Sequence, residues 1–195
     1  MIAATDTFRG VQRISRLKFL NLLVASPARQ DAGIVYDYAV SRGVDALFLL
    51  SIFRHESSFG TAGWATKTRS WGNTRPPSFG AREIGAHQQD SGTFTAHPGP
   101  YQPRSLCAYG NWGKGGMSTV ARLVEHVYRD RTRIGEVFDH PSGQVWAPAG
   151  DQNSPTGYLN AVLAFMTRHQ DQEVETGGET MALKIGCGLT KGPGL

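Results

Sequence analysis

Cysteine is scarce in this chain. Cys107 and Cys187 are the two among 195 residues, too few for a disulfide scaffold and without metal-ligand spacing. Cys187 falls in a glycine-rich tail, where a structural bridge is not expected. Long apolar runs are also missing. The longest, "ALFLLSIF" at residues 46–53, is a core helix and far short of the ~20 residues that cross a bilayer. Near the N-terminus "FLNLLVA" is short and arrives late behind its basic residues, so it reads as an amphipathic helix and no signal peptide is evident. Acid is rare in the middle of the chain: between Glu56 and Glu125 stand Glu83 and Asp90 alone. With 39% hydrophobic and 18% charged residues, a wholly disordered chain is excluded and a soluble globular domain is expected.

The charge that is present is basic, +4 with a pI near 9.3. That favours a polyanionic partner, nucleic acid or an anionic cell wall, and the dispersed basic residues do not choose between them. Helical patterning frames an irregular middle. Ser15 is placed to cap a helix carrying Leu17, Leu20 and Val24. Ser26-Pro27 opens another with Ile34, Val35 and Tyr38 inward and Gly43 as its stop. Asp45 caps a third, from about Ala46 to about Ser58, with Gly60 after it. From Gly60 to about Trp112, glycine, proline, serine and threonine dominate, with short strands expected around "REIGAHQ" and "TFTAH". Then "STVARLVEHVYRD" carries Val120, Leu123, Val124, Val127 and Tyr128 as one stripe. A short helix after Thr132 buries Ile134, Val137 and Phe138, and "NSPTGYLNAVLAFMTRH" sets Tyr158, Val162, Phe165, Met166 and His169 on one face. The expected fold class is mainly α (α+β), a helical domain over residues 1–172 with a small loop-rich β lobe, followed by a glycine-rich tail or linker over 173–195.

Glu56 is the residue that this patterning singles out. Counting back three, four and seven positions reaches Phe53, Ile52 and Leu49, so the carboxylate tips an apolar stripe. Desolvation and the negative end of the helix dipole both disfavour its charged form, which makes it a candidate general acid. The alternative is a surface cap that pairs with Arg54 or His55. A zinc site at "HESSF" would need a second histidine where Phe59 stands. His55 is turned about 100° from Glu56 around the helix, which argues against direct partnership. Beyond Glu56 the acid-poor insert gathers Trp64, Trp71, Asn73, Tyr101, Tyr109, Asn111 and Trp112, the mix of aromatic faces and amides that binds sugar rings.

Four blocks, "HESSFGTAG", "RSWGNTRPP", "YGNWGKGGMSTVARLV" and "VWAPAGDQNSPTGYLNAV", stand in the order and spacing of bacterial glucosaminidase domains. The chain from about Ile14 to His169 resembles this family, the mannosyl-glycoprotein endo-beta-N-acetylglucosaminidase-like group of the lysozyme-like superfamily. The resemblance implies a lysozyme-like helical fold and a peptidoglycan hydrolase that cuts on the reducing side of N-acetylglucosamine. No cofactor and no metal-site residues are expected, and the expected place of action is outside the cell or at the wall. The resemblance places the catalytic glutamate on Glu56, a loop aromatic and amide on Trp71 and Asn73, and a groove tyrosine on Tyr109. Trp112 joins them as a substrate-binding candidate from the aromatic cluster.

A retaining glycosidase needs a carboxylate about 5 Å from the acid and an inverting one a base farther away. Glu83 is the first choice for this second catalytic group, with Asp90 the other carboxylate of the insert and the substrate's acetamido oxygen a third possibility. Asp151 and Asn153 read as loop and helix-start residues, and Tyr158 as a core residue with a satisfied hydroxyl. Within the enzyme class a muramidase or lytic transglycosylase is the alternative; outside it stands a non-catalytic wall-binding module. A nucleic-acid-binding domain is disfavoured, because Arg129, Arg131 and Arg133 sit in a connection and not on a recognition helix. Glycan strands of peptidoglycan are therefore the expected partner, without nucleic acid or membrane insertion.

Overall fold

The computed structural model describes residues 1–74, 93–96, 104–124, 128–146 and 154–171. Among them run α1 (Arg16–Leu22), α2 (Ala32–Ser41), α3 (Ala46–Ser57), α4 (Ala65–Thr68), β1 (Thr93–Ala96), β2 (Arg104–Cys107), α5 (Trp112–Val124), α6 (Ile134–Phe138) and α7 (Pro155–His169). The two strands pair antiparallel, Thr93 opposite Cys107 and Ala96 opposite Arg104. This is the expected mainly α architecture, with a small β element.

α3 is the axis of the core. The Asp45 side chain accepts from the Leu47 amide as the expected N-cap, and it pairs with Arg13 at 2.5 Å. Every residue from Ala46 to Phe53 is buried, so the helix is wrapped on all sides and not apolar along one stripe. Each large side chain so buried contributes about 1.5–3 kcal/mol. Its buried hydroxyls bond locally, Ser51 to the Phe48 carbonyl and Ser57 to that of Phe53. α1, α2, α4 and α7 all touch it. An N-terminal strap crosses one end: Phe8 is buried, its amide donates to Thr132 O and its carbonyl accepts from the Asp45 amide.

α5 begins earlier than its apolar stripe, inside "WGKGG". Its glycines serve close approach. A Cβ at Gly115 would stand 1.8 Å from the Arg69 carbonyl oxygen, and one at Gly116 would meet Val35 at 2.6 Å and Trp71 at 3.0 Å. Bare backbone therefore lets α5 press on α2 and on the 69–71 segment at once.

Several sequence expectations shift. α1 buries Phe19, while Leu17 and Val24 are exposed. α2 starts at Ala32, because the residues after Ser26 form successive turns, with Arg29 N donating to Ser26 O and Asp31 N to Ala28 O. Its inward face is Ala32, Val35 and Ala39, and Ile34 is exposed. α3 stops at Ser58, which takes the left-handed conformation usually left to glycine. Phe59 and Gly60 also have positive φ, and at Gly60 a side chain would strike the Trp112 ring at 2.6 Å. "TFTA" is a strand as expected. "REIGAHQ", Glu83, Asp90, Tyr101, Asp151, Asn153, Val127, Cys187 and the 173–195 tail lie outside the described residues.

Candidate active site

The last turn of α3 presents Glu56, half-buried, between two loops and α7. Its Oε2 accepts from Asn73 Nδ2 at 2.7 Å. Its Oε1 accepts from Trp146 Nε1 at 3.0 Å and from the Tyr158 hydroxyl at 2.7 Å. Three donors from three distant segments thus fix both oxygens of one carboxylate.

Each donor has a local reason for its place. In "SWGNT" Trp71 is fully buried, stacked on Phe53 with ring centroids 4.3 Å apart and near-parallel to Phe19 at 6.2 Å. Gly72 leaves room for the neighbouring loop: a Cβ there would lie 2.5 Å from Trp146 Cζ2. Asn73 follows with φ of 44°, a left-handed residue that asparagine tolerates better than most. Behind it a chain of buried hydroxyls holds the loop, from Ser70 Oγ to Thr74 Oγ1 at 3.2 Å and on to the Tyr109 hydroxyl at 2.7 Å. Burial raises the Tyr109 phenol above its ordinary value, so it stays protonated.

Trp146 arrives on the turn after α6, its amide donating to the Val137 carbonyl at 2.8 Å. The Arg131 side chain, 2% exposed, braces that turn through the Gln144 carbonyl and the Ser142 hydroxyl. Tyr158 sits one turn into α7, whose Ser154 cap accepts from the Gly157 amide. Burial, reinforced by the Glu56 carboxylate, raises the Tyr158 phenol well above its ordinary value and keeps it a donor. The exposed His55 lays its ring against Tyr158, centroids 3.8 Å apart. Loss of water there lowers its pKa despite the opposing pull of Glu56.

Of the residues singled out from the sequence, Glu56 and Asn73 meet directly. Trp71 and Tyr109 require correction. Both are buried, Tyr109 at 1% exposure, so neither offers a face to a sugar; one anchors the 70–74 loop in the core and the other braces it. Trp112 is half-buried against Phe53, with centroids 5.9 Å apart, and its ring lies against Gly60. Glu83 lies outside the described residues. Trp146 and Tyr158 are the partners that sequence reading missed, although both stand in the quoted block "VWAPAGDQNSPTGYLNAV". The Tyr158 hydroxyl is satisfied as expected, but by Glu56. Among the described residues no three His, Cys, Asp or Glu side chains gather as a metal site.

No family model matches the chain, and no curated protein matches it. Among solved structures it is similar to S. aureus Autolysin E in complex with muropeptide NAM-L-ALA-D-iGLU. The TM-score is 0.48 at 9% identity, covering 87% of this chain and 72% of that chain.

Proposed function

We propose that the chain is a glycoside hydrolase of peptidoglycan, with Glu56 as general acid, cutting the β-1,4 bond on the reducing side of N-acetylglucosamine. The supporting observation is the carboxylate held at both oxygens by Asn73, Trp146 and Tyr158. Three of the four sequence blocks that resemble glucosaminidase domains thereby converge on one group. In the reaction the Glu56 proton passes to the glycosidic oxygen as the bond from that oxygen to the sugar C1 breaks. Water then supplies hydroxide to C1 and returns a proton to Glu56. Positive charge at C1 is met by Glu83, by Asp90 or by the substrate's acetamido oxygen.

Oε2 is the less crowded of the two oxygens. Trp146 and Tyr158 crowd Oε1 with two donors, whereas Oε2 faces one amide whose Oδ1 is buried and lacks a hydrogen-bond partner among the described residues. Turning the Asn73 amide over presents Oδ1 as an acceptor for a protonated Oε2. The same turn accommodates Glu56→Gln, whose amide donates where the acid did. Glycan cleavage by this variant should fall roughly 100-fold or more, with a melting temperature within a few degrees of the parent. Digestion of purified cell walls followed by mass spectrometry is the measurement. Reducing-end N-acetylglucosamine supports the bond assignment, and anhydro-muramic ends would replace it with a lytic transglycosylase.

A second reading draws on the same geometry. Glu56 ties α3, two loops and α7 together, which suits a structural staple in a non-catalytic wall-binding module. Undiminished wall digestion by a stable Glu56→Gln protein would remove the catalytic role, and absence of digestion by the parent would favour the module.

A further inference from the structure

Beside the Glu56 cage lies a cavity of about 140 Å³. Asn73 and Trp146 form part of its wall, so it shares two residues with the cage. Arg122, Tyr128 and Val145 line it as well. Liquid water occupies about 30 Å³ per molecule, so the cavity admits a carboxylate with the carbons that carry it.

Two arginines flank its Tyr128 wall. The Arg122 and Arg131 guanidiniums both lie over the Tyr128 ring, their Cζ atoms 6.0 and 4.7 Å from its centroid. Nη1 of Arg122 and both Nε and Nη1 of Arg131 are buried without a hydrogen-bond partner among the described residues. The ion pairs seen among those residues are Arg13–Asp45, Arg16–Asp37 and Lys18–Asp171, and neither of these arginines takes part. Cationic N–H groups removed from water without an acceptor are costly. An anion entering beside Arg122 relieves that cost. The planar guanidinium matches two carboxylate oxygens, and the apolar walls of Val145, Trp146 and Tyr128 suit a short carbon stem better than a bare inorganic ion.

We infer that this cavity is a carboxylate subsite, in which Arg122 pairs with an acid group carried on a short carbon stem of the ligand. The anion site stands on Arg122 and the cavity; that a glycan carries the acid rests on the reading of Glu56 above. Two sources fit the chemistry, the lactyl ether of N-acetylmuramic acid and the carboxylate of an attached peptide.

Tryptophan fluorescence titration separates them. The probes are sodium lactate, the disaccharide of N-acetylglucosamine and N-acetylmuramic acid, its methyl ester, and the same disaccharide carrying a dipeptide. The parent should bind the free acid roughly tenfold tighter than the ester, the scale of one charge-assisted pair. Arg122→Gln should abolish that preference and leave ester affinity unchanged, while Arg122→Lys retains part of it and controls for folding. A preference confined to the dipeptide form, and lost in Arg122→Gln, assigns the acid to the peptide. A lactate response lost in Arg122→Gln, without binding of any disaccharide, upholds the anion site and removes the glycan reading. A parent that responds to no acid probe, or binds acid and ester alike, overturns the subsite. So does an Arg122→Gln protein that loses acid and ester affinity equally.

Discussion

The loops at 70–74 and 140–146 each deliver one donor to Glu56, and they are secured in different ways. The first is rooted in the core. Trp71 stacks on Phe53, three buried hydroxyls run behind the loop, and β2 clasps it, the Cys107 amide donating to the Thr74 carbonyl. The second lies on the surface, exposed from Pro141 to Gln144. It is tied by one backbone bond at Trp146, by the Trp146 ring against Tyr128 and by the Arg131 guanidinium reaching out from the interior. The backbone of the core-rooted loop cannot be moved without disturbing the fold, whereas the braced turn can be altered by itself.

The largest effect expected from this contrast is at Trp71. Trp71→Ala empties a fully buried site and should cost about 3–5 kcal/mol, seen as a large drop in the urea midpoint, with wall digestion lost along with the fold. A Trp71→Ala protein of normal stability would show that the 70–74 loop is not rooted as described. Trp146→Phe is the sharper and smaller test. It keeps most of the ring and deletes the donor to Oε1, so stability should change by about 1 kcal/mol. Wall digestion should fall roughly tenfold, the rate equivalent of about 1.4 kcal/mol. Equal damage to folding and digestion would mean that the two loops are not secured differently.

The smallest effect concerns acid. Burial lowers the pKa of His169 as loss of water lowers that of His55, and nearby cations, Arg168 foremost, add to the effect at His169. Both rings resist protonation when folded, so the unfolded chain binds more protons. Their contribution to stability is therefore complete above the ordinary value near 6.5 and is lost as pH falls through the lowered folded values. Proton NMR should find both ring midpoints below 6.5; midpoints at or above it contradict the assignment.

The helical frame was legible because burial on a helix has a period. α7 shows its Ser-Pro start and the stripe of Tyr158, Val162, Phe165 and Met166 in sequence, and all four are buried. The stripe reading failed where apolar residues do not mark the inner face. α1 and α2 expose Leu17 and Ile34 and turn Phe19, Ala32 and Ala39 inward, and Val24, past the end of α1, is exposed as well, since packing against the neighbouring helices selects by fit and not by apolar character alone. At the site, Glu56 followed from helix geometry and Asn73 from the resemblance. Trp146 and Tyr158 did not, because they meet Glu56 across 90 and 102 residues of chain, and no spacing rule reaches that far. Trp71 reads in sequence as a sugar-binding aromatic and is buried in the fold, because aromatic richness does not tell a buried ring from an open one.

The long reach of the Glu56 cage also has a consequence for the order of assembly. Contacts between residues far apart in sequence form slowly, since a long loop must close first. On the ribosome the glutamate emerges some hundred residues before the tyrosine that completes its cage. A growing or prematurely terminated chain that stops before α7 carries the acid without the hydroxyl that orients it. The full set of donors around Glu56 is therefore assembled only once α7 has been made.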